Sequence, residues 1–161
     1  MEEKQHFEET LLKEALSLRK GKIEEEKKTI TEMIYFRLGK EYYAIRLKEA
    51  REISSRLPVY PVPGTESHIL GVTNIRGEII PVIDLKLRLD LGKTDLNESF
   101  YIIVIKAFEE PLAMAVDVVE DIVEVSEILP CDKGLLKGKI QIKEKVIGIL
   151  DLKRVFYPDE E

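Results

Sequence analysis

The rhythm of apolar and polar positions changes at about residue 30. Before it, Phe7, Leu11, Leu12, Ala15, Leu16 and Leu18 recur among Glu and Lys. That spacing predicts an amphipathic helix, with Gly21 a fitting stop. The apolar stripe is narrow. It fits either a marginal helix lying on its own domain or a helix that binds a partner or a second copy. Lys22 to Thr31 is mostly charged and reads as a linker or a second short helical piece.

From Glu32 the texture becomes β. Short apolar runs rich in β-branched residues, bounded by turn residues, predict strands. Met33 to Leu38, Tyr42 to Leu47 and Glu49 to Ser54 are the first three, with Gly39 and Lys40 as a turn. Tyr42 and Tyr43 fall on opposite faces, so one is expected in the core and one exposed. Pro58, Pro61, Pro63 and Gly64 predict an extended loop without helix. The stretch GVTNIRGEIIPVIDL, Gly71 to Leu85, then reads as a hairpin: apolar runs flank the polar group Thr73, Asn74, Arg76 and Gly77. Gly77 takes the positive φ that a tight hairpin turn requires. Arg76 therefore stands at the tip, either as a solvated turn residue or as an anchor for a partner. Asp84 to Leu91 fits a short helix with Asp84 as N-cap.

The second half repeats the first. YYAIRLKEAREI (42–53) matches PLAMAVDVVEDI (111–122), and EIIPVIDLK (78–86) matches KVIGILDLK (145–153). The strand MIYFRL (33–38) has a counterpart in FYIIVI (100–105). Two copies of a small β unit follow, each of about five strands, a number that closes into a small barrel without free edges. The predicted fold is mostly β: two five-stranded barrel subdomains, roughly 31–92 and 93–161, short helices, and a charged helical extension over 1–30. Whether strands cross from one barrel to the other is left open. Pro81 and Gly148 fall at the same place in the two copies and suggest a bulge or bend at a barrel corner. Asp84 and Asp151 stand at the same strand-to-helix boundary.

Composition narrows the function. The chain has 161 residues, 44% hydrophobic and 35% charged, with a net charge of -6. An acidic balance argues against nucleic acid. No apolar run is long enough to span a bilayer, so no direct membrane insertion is expected. Cys131 is the single cysteine, which suits a reducing cytosol. His6, His68 and Cys131 share no metal-ligand spacing, and no hydrolase elbow, phosphate loop or dinucleotide fingerprint occurs. An acid–base role for Asp84 and Asp151 competes with their role as helix caps. No cofactor or metal is expected. What remains is surface for binding.

Glu49-Ala50-Arg51-Glu52-Ile53, the proline loop and GVTNIRGEIIPVIDL together resemble the CheW family of bacterial chemotaxis adaptors. The resemblance runs from about residue 31 to residue 157. It implies SH3-like barrels and no enzymatic activity. It implies a cytoplasmic scaffold, associated with membrane chemoreceptor arrays, that couples the tips of methyl-accepting chemoreceptors to the regulatory domain of the histidine kinase CheA. A divergent SH3-type interaction module of another bacterial signalling pathway is the alternative. Carried over by position, the receptor- and kinase-binding residues are Ala50, Glu52, Ile53, Gly71, Asn74, Arg76 and Gly77. Ala50 stands where the family usually has valine, and Ile75 where it has leucine. The sequence leaves no room for a kinase or receiver domain, which points to a stand-alone adaptor.

Overall fold

The structure, a computed structural model, describes residues 30–55 and 57–158. The helix expected within residues 2–28 lies outside them. Eleven strands occur among the described residues, in the order β1 (Thr31–Leu38), β2 (Glu41–Arg46), β3 (Ala50–Ser55), β4 (Ile69–Ile75), β5 (Glu78–Asp84), β6 (Tyr101–Ile105), β7 (Leu112–Val116), β8 (Val118–Val125), β9 (Leu129–Lys133), β10 (Leu136–Ile142) and β11 (Lys145–Leu150). Short helices α1 (Leu85–Arg88) and α2 (Leu152–Phe156) follow β5 and β11.

The strands form two sheets, one of six in the order β8-β1-β2-β11-β10-β9 and one of five in the order β3-β6-β7-β5-β4. The strands cross between the halves of the sequence. Each sheet takes the first two strands of one repeat and the remaining strands of the other, β8 to β11 in the first sheet and β3 to β5 in the second. The arrangement is symmetric: β8, β1, β2, β11 and β10 stand in the first sheet as β3, β6, β7, β5 and β4 stand in the second. The junctions agree, since β2–β11 and β5–β7 are the parallel pairs. The expectation of five strands in each unit is corrected to six and five. The extra strand is β9. In the first repeat its place is taken by a single bridge, in which Tyr60 and Val72 exchange backbone hydrogen bonds of 2.8 and 2.9 Å.

Three cores explain the near-continuous apolar runs. Ile34, Phe36, Leu38 and Ile45 of the first sheet meet Ile83, Ile103, Ile105, Met114 and Val116 of the second in a joint core. Ile102, Val104, Ala113 and Ala115 turn the other way, into a core belonging to the second sheet. Met33, Ala44, Ile140 and Ile147 do the same for the first. A strand buried on both faces has no polar side to alternate with. That also corrects the reading of the tyrosines. Both are half-buried, Tyr42 against the first sheet's own core and Tyr43 against the joint core.

The bulges lie elsewhere than expected. Pro81 and Gly148 keep register with Val72 and Lys139; the register shifts instead between Ile69 and Gly71 and between Leu136 and Gly138. Gly148 serves close packing, because a Cβ there would lie 2.8 Å from Leu136 Cδ2. Both aspartates cap their helices. Asp84 Oδ1 accepts from the Leu87 N–H (3.4 Å), and Asp151 Oδ1 accepts from Lys153 N–H (3.1 Å) and Arg154 N–H (3.4 Å). The predicted helix over 84–91 is shorter, ending at Arg88, with a left-handed Asp90 at φ 57°.

Candidate functional site

The β4–β5 connection is a two-residue turn between the paired Ile75 and Glu78, with Arg76 at φ 52° and Gly77 at φ 84°. Positive φ at both central residues is the type I′ pattern, whose twist matches that of the flanking strands. Gly77 accepts this without strain. Arg76 does so at a cost, since its Cβ crowds its own backbone there. The Asn74 side chain steadies the turn, its Oδ1 accepting from the Gly77 N–H at 2.9 Å.

β3 and β4 are the outer strands of the second sheet, yet the sheet bends far enough for β3 to reach the hairpin tip. Arg76 Nη2 lies 3.3 Å from Glu52 Oε2, and Arg51 Nη1 donates to Glu78 Oε1 at 2.8 Å. Arg51 Nε stands 3.9 Å from Glu52 Oε1. The four side chains form one ladder of alternating charge: Glu78, Arg51, Glu52, Arg76. The hydrogen bond to Glu78, and then that group's charge, push the Arg51 guanidinium above its usual pKa. At the other end Arg76 is 77% exposed and held by one longer contact. Glu52 is the most covered of the four, and its Oε1 is buried without a hydrogen-bond partner.

The structure therefore joins Glu52, Asn74, Arg76 and Gly77. Ile53 is exposed on β3 in the position after Glu52, and Ile79, exposed on β5, is paired with Asn74. Ala50 is half-buried against the joint core and borders a separate shallow depression lined also by Ile30, Leu47, Lys48 and Lys106. Gly71 is buried; a Cβ there would lie 2.4 Å from the Tyr60 carbonyl oxygen, so its part is to admit the Tyr60 loop. Sequence reading passed over Arg51, Glu78 and Ile79. The signal for the first two was their opposite charge, but 27 residues separate them.

An exposed guanidinium loosely held by one carboxylate, with exposed Ile53 and Ile79 on the same hairpin and neighbouring strand, suits an anionic or amide group on a partner's surface. Asp84 and Asp151 are engaged otherwise. Asp84 accepts from the Thr94 N–H (3.0 Å) and hydroxyl (2.7 Å), and Asp151 pairs with Arg154 at 3.6 Å.

A family model described as a CheW-like domain matches residues 32–160. The chemotaxis protein CheW of Rhizobium meliloti (strain 1021) is 30% identical over 139 residues, covering 81% of this chain and 89% of that protein. That of Bacillus subtilis (strain 168) is 31% identical over 137 residues, covering 80% and 88%. The crystal structure of the scaffolding protein TtCheW from Thermoanaerobacter tengcongensis superposes with a TM-score of 0.74 at 27% identity, over 82% of this chain and 96% of that one.

Proposed function

The chain belongs to the CheW family, and from this we propose that it joins the cytoplasmic tips of methyl-accepting chemoreceptors to the regulatory domain of the histidine kinase CheA. It is a chemotaxis scaffolding protein, an adaptor and not an enzyme. The partners and the docking site are the proposal. The receptor tip, a helical hairpin, docks at the β3 edge and the β4–β5 turn, with Arg76 as polar anchor and Ile53 as apolar contact. Glu52, Asn74 and Gly77 hold Arg76 in place. Ala50 offers a second contact at its own depression, apart from the turn, and Gly71 keeps the Tyr60 loop seated against β4.

One observation carries this reading: an arginine in left-handed backbone conformation, 77% exposed, paired across the bent sheet with Glu52 at 3.3 Å. Lys143 at the matching β10–β11 turn shares the left-handed conformation (φ 56°), so it is the pairing with Glu52 that sets Arg76 apart. Working residence is the cytoplasm, at membrane receptor arrays. No helix among the described residues is long and apolar enough to cross a membrane. Residues 31–161 act as the functional unit, their two sheets serving as its two barrels, and 1–30 as an appended extension; the family match beginning at residue 32 supports that division.

The test is reconstitution of receptor-dependent kinase activation with Arg76→Ala. Activation should fall while the fold, read by circular dichroism and melting temperature, stays intact. Undiminished activation by this variant would refute the site.

A further inference from the structure

The charge ladder has an unused place. Glu52 Oε1 is buried and accepts no hydrogen bond, while the Arg51 Nε stands 3.9 Å away, too far to donate to it. A buried carboxylate oxygen without a donor is costly, and the cost rises if its other partner leaves. Docking that engages Arg76 draws that partner away. With Arg76 turned to an anionic group on the partner, Glu52 would lose its 3.3 Å contact. Only Arg51 stands ready among the ladder's charges, and Glu78 holds it by the other arm of its guanidinium at 2.8 Å.

We propose that Arg51 is a reserve counter-ion for Glu52: when a partner's carboxylate takes Arg76, Arg51 Nε closes on Glu52 Oε1 and lowers the cost of the exchange. Arg51 and Glu78 are thus positioning residues for the anchor. Glu78 sets the reach of Arg51, whose Nη1 stays bonded while the Nε end moves by about 1 Å, the difference between an ionic contact and a hydrogen bond. The partner group is acidic. This rests on the docking reading above and adds to it how the anchor is released.

The experiment is a double-mutant cycle on the full chain, with a helical-hairpin chemoreceptor-tip fragment as probe and calorimetry as readout. Arg51→Gln should weaken binding about tenfold, the worth of one charge-assisted hydrogen bond. Arg51→Lys, which keeps the charge but has a single ammonium for two carboxylates, should recover only part of the loss. In an Arg76→Ala background Arg51→Gln should change affinity by less than about twofold, because no exchange remains to assist. A merely structural Arg51 would weaken both backgrounds equally, and that result overturns the proposal, as does unchanged affinity in the single variant. A second readout needs no partner. In free Arg76→Ala the Arg51 Nε–H should exchange with water about fivefold more slowly than in the parent chain, as it closes on Glu52. Equal exchange in the two chains overturns the ladder whatever the binding data say. A parent chain that does not bind the tip fragment refutes the docking reading, and the exchange measurement then decides the ladder alone.

Discussion

Ile102 and Ile103 are neighbours on β6, both essentially inaccessible, and they point into different cores. Replacing each in turn by Ala removes the same three carbon atoms. At about 0.8 kcal/mol per buried methylene, transfer alone comes to about 2.4 kcal/mol, and the residual cavity brings the loss to about 3–4 kcal/mol. At about 3 °C per kcal/mol for a chain of this size, the melting temperature should fall by about 10 °C in either case. The informative feature is the shape of the transition. Each sheet holds strands from both repeats, so neither half can unfold and leave a complete sheet behind. Ile103 lies in the joint core, where both sheets depend on it. Ile102 lies in the second sheet's own core, but that sheet contains β3, β4 and β5 of the first repeat with β6 and β7 of the second. Both variants should therefore show one cooperative transition by calorimetry, with calorimetric and van't Hoff enthalpies in agreement. Two transitions in Ile102→Ala, one at the parent temperature and one lowered, would refute the interlocked architecture.

Gly71→Ala should cost about 3 kcal/mol or more, because its Cβ would lie 2.4 Å from the Tyr60 carbonyl oxygen; chemical denaturation reads the loss, and hydrogen exchange at the Val72 amide should accelerate. Arg88→Ala removes donors to the Val155 carbonyl (2.9 Å) and the Arg154 carbonyl (2.8 Å), and should lower stability by about 2 kcal/mol, read as a lower denaturation midpoint with an unaltered slope. Tyr43 has its pKa raised above the ordinary 10.0 by burial and then by Glu41. The unfolded chain therefore loses this proton first, so the contribution to stability is whole below pH 10.0 and lost above it; Tyr43→Phe should flatten the alkaline fall in melting temperature.

The strands were legible because their evidence is local. Val, Ile and Tyr between Gly, Pro and Asn decide a strand within a few residues, and Asp84 and Asp151 announce their helices by position alone. The repeat was legible too, since Asp84 and Asp151 keep their neighbours Leu and Lys. What escaped was which repeat completes which sheet. Val82 pairs with Ala113 and Gly148 with Tyr43, parallel contacts made across the chain between apolar residues that would pair as well with many others. The tyrosines escaped for a related reason, since alternation tells faces apart but not whether both are buried. At the site, the hairpin motif pointed to Arg76 and Gly77. Nothing in it showed that the bend of the sheet would bring Arg51 and Glu52 across to meet Glu78 and Arg76.

The adaptor role is tested most directly by titrating the purified chain with the isolated regulatory domain of CheA from the same organism, by calorimetry. Saturable one-to-one binding is the expected result. No heat of binding at high concentrations of both proteins would contradict coupling to the kinase.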